Sequence, residues 1–125
     1  MITSVNYPSK YEPNSRCVWQ ILTEPGTYIS VNFRFQDFDV PAGVNCRGDH
    51  VNVYDGRNGG DTRYSLATFC NHQPPHKDVY ASFNEITITF ETDGSMEGKG
   101  FVAEYHARKF EPKFEDETDV GKCLF

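Results

Sequence analysis

The sequence predicts an all-β fold, an antiparallel β-sandwich in a single domain with a C-terminal tail. Two patterns predict it: short segments in which apolar and polar residues alternate, and turn residues at regular spacing between them. The chain has 125 residues, enough for one hydrophobic core. Its 10 phenylalanines and 7 tyrosines against 2 methionines also favour strands, because aromatic side chains pack well on a pleated sheet.

Five segments carry the alternation that a half-buried strand shows. In chain order they are CVWQIL, TYISVNFRF, HVNVY, EITITFE and GFVAEYH. The positions expected to face the core are Trp19, Ile21, Ile29, Val31, Phe33, Phe35, Val51, Val53, Ile86, Ile88, Phe90, Phe101, Ala103 and Tyr105. Thr87 and Thr89 alternate with them and are expected at the surface. The turn signals between the segments are Pro25-Gly26, Asp55-Gly56, Asn58-Gly59-Gly60, Pro74-Pro75 and Asp93-Gly94.

The alternation ends after Tyr105, where a charged segment with Pro112 begins. The change in composition predicts a boundary, with a domain over residues 1–107 and a linker or tail over 108–125. Because Cys123 lies in this tail, the tail is alternatively the start of a following module. The polar start MITSVNYP shows no signal peptide, so we interpret Met1 as an expression start or a cut from a longer precursor.

Charge and cysteine usage limit the function classes. A net charge of −6 and a pI of about 5.1, without a Lys/Arg cluster, argue against a nucleic-acid binder. No apolar run is long enough to span a bilayer. The four cysteines are Cys17, Cys46, Cys70 and Cys123, none with C-x-x-C or zinc-finger spacing. Widely spaced cysteines in a small β-rich chain indicate disulfides and an oxidising compartment.

Seven motifs in a fixed order give this chain a resemblance to the CUB domain. They are NYPSKYEP, CVWQI, FQDFDV, CRGDHVNVYDG, FCN, ITITFETDGS and GKGFVAEY. They extend from about residue 2 to about residue 107, and their order and spacing carry a resemblance that no single motif would. The resemblance implies a compact antiparallel sandwich. It also implies an extracellular, non-catalytic protein–protein interaction module of a larger secreted or membrane-anchored protein.

No catalytic residue is expected. The chain has no nucleophile elbow, no H-E-x-x-H pair and no Gly-rich phosphate loop. The four histidines, His50, His72, His76 and His106, show no metal or acid–base spacing, so we interpret them as surface residues.

The tripeptide Arg47-Gly48-Asp49 has two interpretations. It matches a short integrin-binding motif, but such a motif has to stand on an exposed loop, and here it lies between Cys46 and a predicted strand. The resemblance instead implies a calcium site, in which Asp49 acts with Tyr11 and Asp93. The glutamate of the family pattern is replaced by Pro41, which removes a carboxylate and implies weak affinity. The alternative is a hydrogen-bonded cluster of the same residues without metal.

The disulfide pairing also follows from the resemblance, which implies a bridge from Cys46 to Cys70. In the family, Cys17 pairs with a cysteine near the N-terminus that this sequence lacks. Either that partner lay upstream, or Cys123 replaces it, and the even number of cysteines favours the second.

The resemblance also implies the partner, which is expected to be another extracellular protein that makes a lysine contact. The predicted surface is an acidic loop end, formed by Asp37, Asp39, Asp49, Asp55 and Asp93. Tyr11, Tyr54, Tyr64 and Tyr80 are the aromatic residues expected on exposed loops, and of these Tyr11 and Tyr64 are predicted to join the contact surface. A rival interpretation is the substrate-positioning arm of an extracellular protease. Carbohydrate or phospholipid binding would need an exposed aromatic and basic surface, which the sequence does not reveal.

Overall fold

Two four-stranded antiparallel sheets form the fold. The computed structural model describes residues 1–4, 7, 11–37, 49–70, 77–92 and 100–110. The strands are β1 (Ile2–Thr3), β2 (Arg16–Leu22), β3 (Thr27–Asp37), β4 (His50–Asp55), β5 (Ser65–Phe69), β6 (Val79–Tyr80), β7 (Glu85–Glu91) and β8 (Gly100–Lys109). One sheet has the order β1-β8-β3-β6 and the other β2-β7-β4-β5. A 3-10 helix, Thr62–Tyr64, leads into β5. The predicted antiparallel sandwich is confirmed.

The core lies between the sheets and is filled by the residues that the alternation selects. Fully or almost fully buried are Ile29, Val31, Phe33, Val51, Val53, Ile86, Ile88, Phe90, Phe101 and Ala103. The ring of Phe101 meets Phe90 at 5.3 Å and Trp19 at 5.5 Å between centroids, both edge to face. Edge-to-face contacts between rings add to the stabilisation that comes from burial.

Two expectations about exposure are wrong. Thr87 and Thr89 are buried, although they alternate with core residues. They lie on β7, a central strand, and the Thr87 hydroxyl donates to the Gly56 carbonyl at 2.7 Å because the loop after β4 crosses this face. Tyr105 is 38% exposed rather than buried. On the outer side of β8, β1 pairs only with Val102 and Ala103, so no described strand flanks Tyr105 there.

The ends of β4 define the two ends of the sandwich. His50 pairs with Glu91 at one end, and Asp55 pairs with Ile86 at the other. We call the first the Asp49 end, since Asp49 directly precedes His50, and the second the Asp55 end. The last strand runs from the Asp49 end to Lys109, which pairs with Thr27. The sandwich thus extends two residues past the predicted boundary at 107. Among the described residues, no helix is long and apolar enough to cross a membrane.

Candidate functional site

A buried pair of polar side chains lies at the Asp49 end. The hydroxyl of Tyr11 donates a hydrogen bond to Oδ2 of Asp49. Only 2% of Tyr11 and 1% of Asp49 are exposed. The Tyr11 ring packs edge to face on Phe90, with 5.0 Å between centroids. The expected contact between Tyr11 and Asp49 is therefore present.

The backbone near Ser4 packs closely against the start of β8, and Tyr11 lies beside this contact at the Asp49 end. The Ser4 N–H donates to the Phe101 carbonyl, and the Phe101 N–H donates to Ser4 Oγ, both at 3.1 Å. Gly100, at φ +91°, lies so close to this pair that a Cβ added there would come within 1.8 Å of Ser4 Oγ. The same Cβ would lie 3.5 Å from Cδ2 of Tyr11. The absence of a side chain at Gly100 thus lets β8 begin beside Ser4 and Tyr11.

Thr92 ties the segment after Tyr11 to the end of β7. Its hydroxyl donates to the Glu12 carbonyl at 2.9 Å and accepts from the Ser15 N–H at 2.8 Å. The Thr92 N–H in turn donates to the Ser15 carbonyl at 3.0 Å. Thr92 is the last described residue before Asp93, and its bonds place it at the Asp49 end.

A chain of charged groups lies beside the buried pair. Nε2 of His50 lies 3.1 Å from Oε2 of Glu91. The other oxygen of this carboxylate accepts from Nε of Arg16 at 3.2 Å. His50, interpreted as a surface residue, is mostly covered, and its ring contacts a carboxylate. Arg16 and Glu91 are more exposed, so their pairing contributes little to stability.

The donor atoms at the Asp49 end fit a hard cation in type. Calcium takes carboxylate and other oxygen ligands, and the Asp49 carboxylate is such a ligand. The Tyr11 hydroxyl orients it. Pro41 has no side-chain oxygen to give. Pro41 and Asp93 lie outside the described residues, and within the described part no group of three His, Cys, Asp or Glu residues could hold a metal ion.

The burial of Asp49 bears on the Arg47-Gly48-Asp49 tripeptide. Its carboxylate is covered and bonded to Tyr11, so in this conformation it is not presented to a receptor. The expectation that Asp49 does not stand on an exposed loop tip is confirmed. Arg47 and Gly48 lie outside the described residues.

Not all residues of the predicted partner surface share one end. The backbone of Asp37 pairs with Gly100 at the Asp49 end, but Asp55 lies at the opposite end of β4. Tyr64 precedes Ser65, which pairs with Tyr54, so Tyr64 also lies at the Asp55 end. The grouping of Asp55 and Tyr64 with Asp49 is therefore wrong. Asp39 and Asp93 lie outside the described residues.

The expected exposure of the four loop tyrosines holds for only two of them. Tyr64 and Tyr80 are exposed, whereas Tyr11 and Tyr54 are buried. Tyr11 cannot offer its ring to a partner in this conformation, because the ring packs on Phe90.

The cysteines are only partly described. Cys70 is disulfide-bonded, and its predicted partner Cys46 lies outside the described residues. Cys17 is a free thiol that packs against the core from β2. The predicted bridge from Cys17 to Cys123 is therefore absent from the structure, and Cys123 lies outside the described residues.

A second concave surface, at the Asp55 end, was not predicted. It is a groove of about 420 Å³, lined by Asp55, Gly56, Asn58, Tyr64, Ser82, Phe83, Asn84 and Glu85. Phe83 stands out, because 69% of it is exposed. In the sequence, Phe83 lies between Ser82 and Asn84, in the segment between β6 and β7. An isolated phenylalanine among polar residues is the pattern that could have predicted an exposed ring here.

Comparisons with known proteins agree with this architecture. The family model of the CUB domain matches residues 1–105. The bone morphogenetic protein 1 homolog of Strongylocentrotus purpuratus is 33% identical over 123 residues, which are 98% of this chain and 18% of that protein. Zinc metalloproteinase nas-39 of Caenorhabditis elegans is 38% identical over 105 residues, 83% of this chain and 11% of that protein.

A solved structure shows the same fold. The MASP-1 CUB2 domain bound to Ca²⁺ is similar with a TM-score of 0.72 at 27% identity, over 83% of this chain and 88% of that one. The two curated relatives are much longer, and this chain spans less than a fifth of either. With the family model matched from residue 1 to 105, the chain belongs to the CUB domain family.

Proposed function

We propose that this chain is an extracellular protein–protein interaction module of a larger secreted or membrane-anchored protein, and that it binds through its Asp49 end. CUB domains are non-catalytic modules found in extracellular proteins. The observation that carries the proposal is the buried Asp49 carboxylate held by Tyr11 at a loop end. A buried carboxylate is costly unless donors or a cation compensate it, so its presence there indicates a specific role.

Calcium assistance is the finer part of the proposal. Asp49 and Asp93 would hold the ion through their carboxylates, with Tyr11 orienting Asp49. A bound calcium supplies a fixed positive charge that orders the loops around it. The Ca²⁺-bound MASP-1 CUB2 domain supports this, since it shares the fold. Pro41 offers no oxygen, so we expect weak affinity, about 10⁻⁴–10⁻³ M as in other extracellular modules.

The proposed partner contact is a lysine side chain. The chain carries a net charge of −6, which favours the approach of a basic partner. A single calcium ion would balance the two charges of Asp49 and Asp93, so the lysine would hydrogen-bond to carboxylate oxygens that the ion leaves free. Because Asp49 is covered, we propose that this contact is made mainly through Asp93. A lysine ammonium is a compact cation that suits such a pocket.

The calcium test compares two aspartates at opposite ends of β4. Asp49→Asn keeps the size of the side chain but removes its charge, and Asp55→Asn is the matched control. We expect millimolar calcium to raise the melting temperature of the wild-type chain and of Asp55→Asn, but not of Asp49→Asn. Submicromolar calorimetric affinity would mean more ligands than we propose. Absence of any response at millimolar calcium would favour the metal-free cluster.

Partner binding requires its own test. The wild-type chain, Asp49→Asn and Asp55→Asn are immobilised and exposed to conditioned medium, with calcium or with a chelator. Retained proteins are quantified by mass spectrometry. We expect a set retained by wild type and Asp55→Asn, and lost with Asp49→Asn. Equal retention by all three variants would show that the Asp49 end is not the contact surface.

A second candidate is the substrate-positioning arm of an extracellular protease. The name of zinc metalloproteinase nas-39 supports it. The test uses the full-length parent protein, with Asp49→Asn introduced in the CUB domain. If the domain positions substrate, the variant raises KM for a protein substrate but not for a short peptide. An equal effect on both substrates would argue against this role.

We make two further proposals, one on the Cys46–Cys70 disulfide and one on the C-terminal tail. We propose the Cys46–Cys70 bridge, which closes a loop and would stabilise the domain by about 3 kcal/mol. Non-reducing peptide mapping tests it, and a free thiol at Cys46 would contradict it. We propose that the residues after β8, which ends at Lys109, lead from this domain to a following module, since the match to the sea urchin relative covers 98% of the chain.

A further inference from the structure

The groove at the Asp55 end has the chemistry of a ligand site and is separate from the Asp49 end. Its volume of about 420 Å³ lies within the range of about 300–1,000 Å³ of small-ligand sites. Such sites combine apolar or aromatic walls with a few fixed polar groups. This groove has both, and the interaction proposed for the Asp49 end does not use it.

Two aromatic rings line the groove. Tyr64 is 42% exposed and Phe83 is 69% exposed. A phenylalanine this exposed buries little of its ring in the folded chain, so a ligand that covers it removes apolar surface from water. An aromatic ring also offers a flat face for the C–H groups of a sugar.

The chain holds Phe83 firmly at the groove. The Phe83 carbonyl accepts from the Ile29 N–H at 3.2 Å. The Asn84 carbonyl accepts from the Thr23 N–H at 2.9 Å, and the Asn84 amide donates to the Thr23 carbonyl at 2.9 Å. The turn of Ser82 to Asn84 is thus hydrogen-bonded to Thr23, which follows β2, and to Ile29 in β3. The Phe83 ring is therefore exposed on a turn whose backbone is held in place.

The polar lining is also held in place. Oδ1 of Asp55 accepts from the Ser82 N–H at 2.9 Å. The Asn58 amide donates to the Asp55 carbonyl at 2.8 Å, and the Gly56 N–H donates to the Glu85 carbonyl at 3.0 Å. Each of these bonds leaves other polar atoms of the same side chains, such as the amide oxygens of Asn58 and Asn84, with hydrogen-bonding capacity.

The charged residues at the groove favour a neutral ligand over an anionic one. Glu85 pairs with Arg57, and Asp61 beside Tyr64 pairs with Arg63. Asp55 has no cationic partner among the described residues. An anionic ligand would therefore meet a carboxylate without a nearby free cation. The sequence does not reveal an exposed aromatic surface, but the structure has one here in Tyr64 and Phe83. A neutral ligand does not need the basic residues that a charged one would, and the hydroxyl and amide groups beside these rings suit its hydroxyl groups.

We propose that the groove between Tyr64 and Phe83 is a binding site for a neutral saccharide of one or two sugar rings. The rings contact the sugar faces, and Asp55, Asn58 and Asn84 hydrogen-bond its hydroxyl groups. Together with the Asp49 end, this gives the domain two binding surfaces at opposite ends of the sandwich. A sugar carried by a partner glycoprotein would be recognised independently of calcium.

The test is an NMR titration of the full ¹⁵N-labelled chain with lactose, mannobiose and N,N′-diacetylchitobiose. We expect at least one of them to shift amide signals of residues 55–64 and 82–85 at millimolar concentration, with or without a chelator. Phe83→Ala and Tyr64→Ala should each weaken binding about tenfold or more, as truncation of an aromatic anchor does. Tyr80→Ala removes an exposed ring outside the groove and should leave the affinity unchanged.

Three results would overturn the proposal. The first is no shift with any of the three saccharides. The second is a set of shifts that Phe83→Ala and Tyr80→Ala affect equally. The third is tighter binding of a lysine-rich peptide or of a sulfated heparin oligosaccharide in the same groove, which would assign it to a charged ligand. Thermal melts of the variants check that the exposed substitutions leave the fold intact.

Discussion

The hydroxyl of Tyr11 donates to the carboxylate of Asp49 across 38 positions of sequence, with both side chains buried at one end of the sandwich. A bond of this kind joins the loop before β2 to the segment before β4. It therefore serves two purposes. It closes the sandwich at that end, and it sets the direction of the carboxylate on which the proposed function depends.

Tyr11→Phe should lower the free energy of unfolding by about 1.5–3 kcal/mol. The substitution keeps the ring on Phe90 but takes a donor from a buried carboxylate, and bonds to charged groups are worth about this much. Urea denaturation in the absence of calcium measures the change. Tyr80→Phe removes an exposed hydroxyl and should change stability by no more than about 0.5 kcal/mol. A similar loss in both variants would contradict the buried bond.

Thr89→Val and Thr87→Val should act in opposite directions on the same strand. Among the described residues, Oγ1 of Thr89 is buried without a hydrogen-bond partner, so its replacement by an isosteric methyl should raise stability by about 1 kcal/mol. Thr87 donates to the Gly56 carbonyl at 2.7 Å, and losing that bond should lower stability by about 1 kcal/mol. Thermal melts of both variants compare them. Destabilisation by Thr89→Val would mean that its hydroxyl has a partner in solution, such as a water molecule.

These two threonines show where local sequence patterns stop being informative. Alternation identifies Ile86, Ile88 and Phe90 correctly, because the period of a strand is a property of the strand itself. Whether the other face is open depends on which segments cover it. Thr87 is covered by a loop some thirty positions earlier in the chain, and a period of two carries no information on that contact.

Part of the candidate site could likewise be predicted from the sequence, and part could not. The contact of Tyr11 with Asp49 could be expected because ordered motifs place both residues. Asp55 was grouped with Asp49 by charge alone, yet it lies six positions further along the chain, at the other end of β4, which places the two about 20 Å apart. The exposure of Phe83 could not be predicted because the sequence does not predict β5 and β6. A two-residue strand such as β6 is too short to show alternation of apolar and polar residues.

The titration of Asp61 should depend on Arg63. The Arg63 side chain and its backbone N–H both donate to the Asp61 carboxylate, and they hold its pKa below the ordinary value of 3.8. A carboxyl whose pKa is lower in the folded state stabilises the fold above its ordinary pKa. That contribution is lost as the pH falls through the folded pKa, so any effect is confined to pH below about 4. Because Asp61 is exposed, the effect on stability should be small.

Carboxyl ¹³C NMR of Arg63→Gln tests this pairing. The pKa of Asp61 should rise towards 3.8, since the main cause of its depression is removed. Arg16→Gln removes a cation that pairs with Glu91 at the other end, and should leave the Asp61 titration unchanged. An unchanged titration in Arg63→Gln would show that the pair does not form in solution.

Gly100→Ala should destabilise the domain much more than Gly26→Ala, although both glycines have similar positive φ angles of +91° and +85°. An alanine at either position is strained by about 1–2 kcal/mol. At Gly26 nothing lies within 4 Å of an added Cβ, whereas at Gly100 the Cβ would meet Ser4 Oγ at 1.8 Å. We therefore expect a loss of about 1 kcal/mol for Gly26→Ala and about 3 kcal/mol or more for Gly100→Ala.

The size of the difference depends on Ser4, and a double-mutant cycle isolates it. Ser4→Gly removes both atoms that an added Cβ would strike, so it should cost less in the Gly100→Ala background than in the wild type. It also removes the acceptor for the Phe101 N–H, so it is destabilising when made alone. Chemical denaturation of the four proteins gives the coupling energy. If the two substitutions were simply additive, β8 would not begin against Ser4 as the structure has it, and the seating of Tyr11 beside Gly100 would need another explanation.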